Sequence, residues 1–258
     1  MTAYIKTLRA GGRSPYQSRP WPLPTQRPDG TWEPGEWVTS RHIVRRKTTL
    51  TPAQVDACRP AVYACRQDQL PKWIAARAYY IELDSPVEGA DKVGARAGRL
   101  LRPVEGWTDD ALHRFAHACA DRAARIHAVS ALRAAGLAAE ADLLAACPPI
   151  VDVASARAAA GDARAAGGAA GAAWDAAWDA AGGDARAADA AANAAYAAAF
   201  AARAADAAAG AAWDAADGAA RAAAYARAAA GAARHTAAAE REWQAKRLAE
   251  LVGLEIER

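Results

Sequence analysis

Alanine dominates residues 154–239, and the central part of this stretch, residues 172–210, reads AAWDAAWDAAGGDARAADAAANAAYAAAFAARAADAAAG. Alanine has the highest helix propensity of the amino acids, so the stretch predicts helix. Glycine pairs at 167–168 and 182–183 are natural hinges or helix ends. Because small side chains let helix axes approach, we expect about three to five closely packed helices here.

Large side chains are rare in this stretch, and they recur at helical spacings. Trp174 and Trp178 are four residues apart, as are Tyr196 and Phe200, so each pair shares a helix face. Tyr196 follows Trp178 by 18 residues, which is five turns at 3.6 residues per turn. The step from Phe200 to Trp213 breaks that register, which favours several helices over one. We interpret these aromatic residues, with one in the last segment, as interaction anchors: Trp174, Trp178, Tyr196, Phe200, Trp213, Tyr225 and Trp243.

We expect the charged residues of this stretch either to form ion pairs within one helix or to face solvent. Arg203 and Asp206 lie three residues apart, a spacing at which opposite charges can pair on one helix. Asp175 and Asp179 repeat the same charge at a spacing of four residues. We expect these two aspartates to face solvent or a basic partner on another helix.

The first hundred residues have the pattern of a small mixed α/β domain. A passage rich in proline and tryptophan, residues 14–24, cannot be helix or central strand, so we expect Tyr16 and Trp21 to pin it to a surface. Thr51 and Pro52 predict the start of a short helix ending at Ala57. Asp68 predicts a second helix over 69–78. Short apolar or alternating runs predict strands at 3–9, 31–32, 36–38, 61–65, 79–83 and 92–101.

A long helix is predicted to follow from Thr108, whose hydroxyl can cap the first free amides. Its inward side should carry Leu112, Phe115, Cys119 and Ile126, since these fall on one side at about 100° per residue.

This helix should end near Ala135, where Gly136 suits the position after the last turn. We expect another helix at 137–147 and an amphipathic last one from Glu240 that Gly253 ends. The predicted fold class is therefore α+β. A mixed α/β domain at 1–106 precedes an alanine-rich helical domain at 107–258.

Two groups of charged residues are candidate ligand-binding positions. Arg41, Arg45, Arg46 and Lys47 lie in a segment that reads either as a charged edge strand or as a phosphate-binding patch. Glu82 and Asp84 are alternate residues of a predicted strand, so their carboxylates should share a face and suit acid–base chemistry.

Three histidines, His113, His117 and His127, are candidate metal ligands. His113 and His117 have the i,i+4 spacing of a metal site, but His127 lies about 15 Å further along the helix and cannot complete it. Arg114 stands where a zinc protease would have glutamate. We therefore expect these histidines on a polar helix face, with no metal and no cofactor.

Composition and charge limit the function classes. The net charge of +3 combines +6 in residues 1–150 (21 Lys+Arg less 15 Asp+Glu) with −3 in the remainder (11 less 14). That excess is too small for a nucleic-acid signature. With no signal peptide, no apolar run long enough to span a bilayer and no C-x-x-C pair, the sequence predicts a cytoplasmic protein with reduced thiols, or alternatively a virion component.

The motifs Trp21–Pro24 and Pro34–Trp37, followed by alanine-rich repeats, resemble uncharacterised proteins of actinobacteria and their phages. The resemblance implies no activity. Our leading hypothesis is a non-catalytic structural or protein-interaction protein, phage-derived, that self-associates or binds a protein partner through its alanine-rich helices. The alternative is an enzyme or nucleotide-ligand-binding protein using residues 41–47 and 79–84, and nucleic-acid binding ranks third.

Overall fold

The structure is a computed structural model that describes residues 3–15, 20–40, 50–56, 61–179, 185–208, 221 and 236–254. By backbone proximity the chain divides into two compact units. The first, here called the sheet unit, is Met1–Ala111 with Leu248–Arg258. The second, the helical unit, is Leu112–Arg247. Sheets come first and helices follow, which confirms the α+β fold class.

The sheet unit is built on four antiparallel strands in the order β1-β6-β9-β4. The strands are β1 (Tyr4–Leu8), β4 (Val38–Thr39), β6 (Arg77–Asp84) and β9 (Ala97–Pro103). A three-stranded sheet has the order β5-β8-β7, with β5 (Val62–Ala64), β7 (Val87–Glu88) and β8 (Val93–Ala95). A hairpin of β2 (Thr25–Gln26) and β3 (Trp32–Glu33) and a helix α1 (Pro52–Asp56) complete it.

Large apolar side chains fill the core of the sheet unit. Alternate residues of β6, Tyr79 and Ile81, point into this core, whereas β1 is buried at four successive residues, from Ile5 to Leu8. Trp21 is buried in this core, which confirms that it pins the proline-rich passage, whereas Tyr16 lies outside the described residues. The buried members are Leu8, Trp21, Val38, Val62, Ala64, Tyr79, Ile81 and Leu100.

Two secondary-structure predictions fail in the sheet unit. The helix predicted over 69–78 is a short 3-10 helix, Gln67–Lys72, because Pro71 offers no amide to an α-helical ladder and Arg77 already pairs with Leu8 of β1. The strand predicted over 92–101 is two strands. The chain passes from the three-stranded sheet to the four-stranded sheet at Arg96. The predicted run therefore supplies one strand to each sheet, β8 to the first and β9 to the second.

Helices make up the described part of the helical unit. A first long element combines α2 (Asp109–Arg122), a π-helical turn (Ala123–Ala128) and α3 (Val129–Ala134). Then come α4 (Ala138–Ala145), α5 (Val153–Asp179), α6 (Ala185–Ala207) and α7 (Thr236–Val252). Both predicted ends of the first long element are confirmed, and a capping interaction or a glycine marks each of them. The Thr108 hydroxyl accepts a bond from the Ala111 amide at 3.1 Å, and Gly136 takes a φ of 78° after α3.

The π-helical turn changes which residues face inward. Leu112, Phe115 and Cys119 are buried as predicted, but Ile126 is 47% exposed and His127 is buried instead. A π-helical turn adds about one residue to the helix, which rotates later residues backward by about 100°. The predictions that Ile126 faces the core and that His127 lies on a polar face were therefore wrong for one reason.

Alanine is the packing residue between α5 and α6. On α5 the buried positions Ala156, Ala159, Ala163, Ala166 and Ala170 advance by three or four residues, which marks one continuous stripe. Gly167 lies within this helix, so of the two predicted roles for residues 167–168, hinge or helix end, the helix end is wrong. A Cβ at Gly167 would meet the Cβ of Ala198 at 3.4 Å, because the two helices approach so closely there. The pair at 182–183 lies outside the described residues.

Ion pairing on α6 also differs from the prediction. Asp206 pairs with Arg164 of α5, not with Arg203 on its own helix. The packing of the two helices brings Arg164 to Asp206, and no described residue forms an ion pair with Arg203. Among the described helices, none combines the length and apolar character that crossing a membrane requires.

Candidate functional site

The basic candidates Arg41, Arg45, Arg46 and Lys47 lie outside the described residues. The acidic candidates lie on β6, on the face opposite the core. The Glu82 carboxylate accepts a bond from Arg99 Nε at 2.7 Å, and the Asp84 carboxylate accepts one from Arg96 Nε at 2.9 Å. Both carboxylates are thus paired with arginines at the sheet surface.

Arginines stack on aromatic rings across the same face. The Arg99 guanidinium lies 5.1 Å from the ring centre of Trp37, and that of Arg102 lies 4.3 Å from Tyr80. Leu101 is an extra residue in β9, since Tyr80 pairs with Arg102 while the next residue of β6 pairs with Leu100. This β-bulge brings Arg99 and Arg102 to one face although they are three residues apart.

This outer sheet face is chemically suited to flat, negatively charged ligands. Trp37 is 43% exposed, and stacked arginine–aromatic pairs offer both a planar surface and charge. We define the outer sheet face as Trp37, Tyr80, Glu82, Asp84, Arg96, Arg99 and Arg102. Sequence reasoning found the two carboxylates but missed the arginines and aromatics, because the bulge breaks the alternation that would have grouped them.

The predicted aromatic anchors have different surroundings. Trp174 and Trp178 belong to α5, but their side chains are not described, and Trp213 and Tyr225 lie outside the described residues. Tyr196 is 55% exposed on α6. Phe200 is half-buried, with the Arg221 guanidinium 5.4 Å from its ring centre. Trp243 is half-buried on α7, where the Arg122 guanidinium stacks at 4.3 Å.

The exposed side of α6 forms a continuous face around Tyr196. At about 100° per residue, every residue within roughly 60° of Tyr196 is exposed or half-buried, from Asp189 to Ala207. The opposite side carries buried alanines, among them Ala194, Ala198 and Ala201. We call this exposed side the α6 outer face: Asp189, Ala192, Asn193, Tyr196, Ala199, Phe200, Arg203 and Ala207.

A buried ionic cluster ties α7 to the first long element of the helical unit. Glu240 is 1% exposed, and its Oε2 accepts bonds from Arg122 Nε and His127 Nε2, each at 2.9 Å. The side chain of Gln244, also fully buried, lies 3.4 Å from the other carboxylate oxygen. Such a cluster holds helices together, since the charges are paired and bonded. Sequence reasoning missed it because the π-helical turn brings His127 inward.

His113 and His117 do not form a metal centre with other described residues, which contain no group of three or more His, Cys, Asp or Glu side chains placed to hold a metal ion. His117 is 9% exposed, and its Nε2 has no hydrogen-bond partner among the described residues. Burial and the neighbouring His113 lower the pKa of His117. A neutral imidazole is therefore favoured at this position.

The sheet unit buries an amine that the sequence predictions did not single out. Lys6 Nζ donates to the Tyr63 carbonyl at 2.7 Å and lies 5.3 Å from the ring centre of Trp21. Burial lowers the pKa of Lys6 to about 8. The alternation Tyr4, Lys6, Leu8 along β1 was the signal that could have placed Lys6 on the inward side.

The chain matches no protein-family model, and neither a curated protein nor a solved structure is significantly similar to it. The likeness to actinobacterial and phage proteins therefore stays a prediction.

Proposed function

We propose that the protein is a non-catalytic interaction protein that assembles through the outer face of its alanine-rich helices. The observation that carries this proposal is the position of Tyr196, exposed on a helix whose inward side is all alanine. Burying an aromatic ring contributes far more than burying a methyl group, and a ring that is 55% exposed has apolar area left to bury. Tyrosine is among the residues enriched at protein interfaces, where such area is buried on binding.

Sedimentation velocity over a range of protein concentrations tests this proposal. We expect the wild-type sedimentation coefficient to rise with concentration and Tyr196→Ser to shift that rise to higher concentration. Leu143→Ser is the matched control, because Leu143 is 74% exposed on α4, away from the α6 outer face. A protein that stays monomeric at every concentration, together with no partner recovered by crosslinking in its host, would overturn the proposal.

A second candidate function is binding of an anionic planar ligand, such as a nucleotide, at the outer sheet face. The stacked pairs Trp37–Arg99 and Tyr80–Arg102 favour it. A thermal-shift screen of nucleotides should then show stabilisation that Arg102→Ala abolishes and Arg27→Ala, on the β2–β3 hairpin, leaves intact. Absence of stabilisation by every nucleotide would exclude this function, and salt-dependent retention on DNA would favour nucleic acid as the ligand instead.

A further inference from the structure

The α6 outer face has opposite charges at equal distances on either side of Tyr196. Asp189 lies seven residues before Tyr196 and Arg203 lies seven residues after it. Seven residues are close to two helical turns, so each charge lies about 10 Å along the axis from Tyr196 and within about 20° of its direction. All three residues are exposed, so one line along the helix carries a negative end, an aromatic centre and a positive end.

Both charges are available to a partner. Neither the Asp189 carboxylate nor the Arg203 guanidinium forms an ion pair with any described residue, in contrast to Asp206, which is bound to Arg164. The nearest side-chain bond on this line, from Asn193 Nδ2, goes to the main-chain oxygen of Asp189 and leaves its carboxylate uninvolved.

We infer that the partner of the α6 outer face is a second copy of the same helix, packed antiparallel about a two-fold axis at Tyr196. This inference rests on the proposed function. Across such an axis residue i of one copy meets residue j of the other, and j meets i. Asp189 of each copy then lies level with Arg203 of its mate, which gives two identical ion pairs on either side of the two tyrosines.

The same charges select the antiparallel arrangement. In a parallel pair, Asp189 would lie beside Asp189 and Arg203 beside Arg203, which is repulsive at both ends. Ala192 and Ala199 flank Tyr196 on this face, so small side chains leave room beside each ring for the ring of the other copy. Arg221 stacks on Phe200, which is four residues after Tyr196 on this face.

The contact is limited to one helix face, so the dimer should be weak and concentration-dependent. Stable dimers bury an extensive surface, and one pair of helices provides little of it. Two ion pairs at the edge of such a contact contribute to orientation and specificity more than to affinity.

Charge reversal tests the two-fold geometry with the full chain in sedimentation equilibrium. Asp189→Arg and Arg203→Asp should each weaken self-association by about tenfold or more, since each turns two attractions into two repulsions. The double variant, D189R with R203D, should restore the wild-type affinity. An equimolar mixture of the two single variants should form a heterodimer, because every repulsive pair then becomes an attractive one.

Net charge alone could attract the two single variants, so a matched pair on α5 is the control. Asp175→Arg and Arg157→Asp make the same changes in charge at exposed positions away from the α6 outer face. Their mixture should associate no better than wild type. Heterodimer formation by both mixtures alike would overturn the inference.

The remaining outcomes separate this inference from the function on which it rests. If wild type self-associates and the single charge-reversal variants associate as tightly as wild type, the antiparallel geometry is wrong. The proposed function then holds, with assembly through a different contact. If wild type remains monomeric at all concentrations, this inference fails and binding of a different protein is the only form of the proposed function that survives.

Discussion

In the sheet unit, Trp21 and Tyr79 lie inside the core beside Leu8 and Leu100, whereas in the α5–α6 pair alanines lie inside and Tyr196 lies outside. The sheet core is held together by large apolar areas removed from water. Between α5 and α6 each alanine buries little apolar area. The close approach of the two backbones compensates for this, because many dispersion contacts form at short range.

The contrast shows that one chain can use aromatic residues for opposite purposes. In the sheet unit they stabilise the fold. On α6 the aromatic residues lie outside the contact with α5. A ring between α5 and α6 would push the two helices apart, because they meet at a contact between a glycine and an alanine. The predictions below test whether the two units respond in opposite ways to changes in side-chain size and charge.

The largest effect is expected at the buried ionic cluster of the helical unit. Glu240→Ala leaves Arg122 and His127 without their carboxylate and should lower the free energy of unfolding by about 3–5 kcal/mol. Hydrogen exchange of peptides from α2 and α7 measures this loss. Glu242→Ala, two residues along and exposed, should leave exchange essentially unchanged. Equal effects of the two substitutions would show that the cluster does not stabilise the unit.

A cavity should destabilise the sheet unit by a comparable amount. Leu100 is fully buried on the central strand β9, so Leu100→Ala should cost about 2–5 kcal/mol. Faster hydrogen exchange in β6 and β9, with α5 and α6 unaffected, is the expected pattern. Exchange that rises equally in both units would contradict their separate cores.

Lys6 gives the sheet unit a dependence on pH. Its pKa falls from 10.5 in an unfolded chain to about 8 in the fold, so between these values the unfolded chain binds more protons and stability rises with pH. The gain across this range is on the order of 3 kcal/mol. It should appear as the difference between wild type and Lys6→Met, because burial also raises the pKa of Cys65 to about 12 and opposes the trend in both proteins. Parallel pH profiles for the two proteins would contradict an ionisable amine in this core.

The smallest expected effect comes from adding side-chain volume between α5 and α6. It is the converse of the Leu100→Ala test, which removes volume from the core of the sheet unit. Adding volume at Ala198→Leu should separate α5 from α6 and cost about 1–3 kcal/mol, although leucine is the more apolar residue. Ala158→Leu, at an exposed position of α5, should change stability little. Thermal unfolding followed by circular dichroism compares them. Stabilisation by Ala198→Leu would mean that the helices have room for larger side chains.

Much of the architecture could be predicted from local signals. Thr108 and Gly136 bounded the first long helix, and the apolar pattern of residues 79–83 located β6, an inner strand of the four-stranded sheet. Local signals did not predict which way a side chain faces where residues distant in the sequence determine it. The π-helical turn that brings His127 to Glu240 depends on a helix more than 100 residues later in the chain. The bulge at Leu101 groups Arg99 with Arg102, and no pattern in β9 alone reveals it.

For the candidate interaction surface, the sequence analysis identified Tyr196 and Phe200 through their spacing but did not say which side of α6 is buried. A signal for it was present, because the residues of α6 other than alanine recur every three or four positions from Arg186 to Asp206 and leave one side with alanine alone. That alanine side faces α5, α3 and the π-helical turn, and the identity of these partners could not be read from α6 itself.

Hydroxyl-radical footprinting at two protein concentrations tests most directly whether α6 buries alanine and presents its aromatic side for assembly. In dilute solution we expect Tyr196 to be oxidised much faster than the buried Tyr79. In concentrated solution Tyr196 should become protected while Tyr79 stays slow. Oxidation of Tyr196 as slowly as Tyr79 in dilute solution would contradict the outward position of the ring. Unchanged rapid oxidation of Tyr196 at high concentration would contradict its role in self-association.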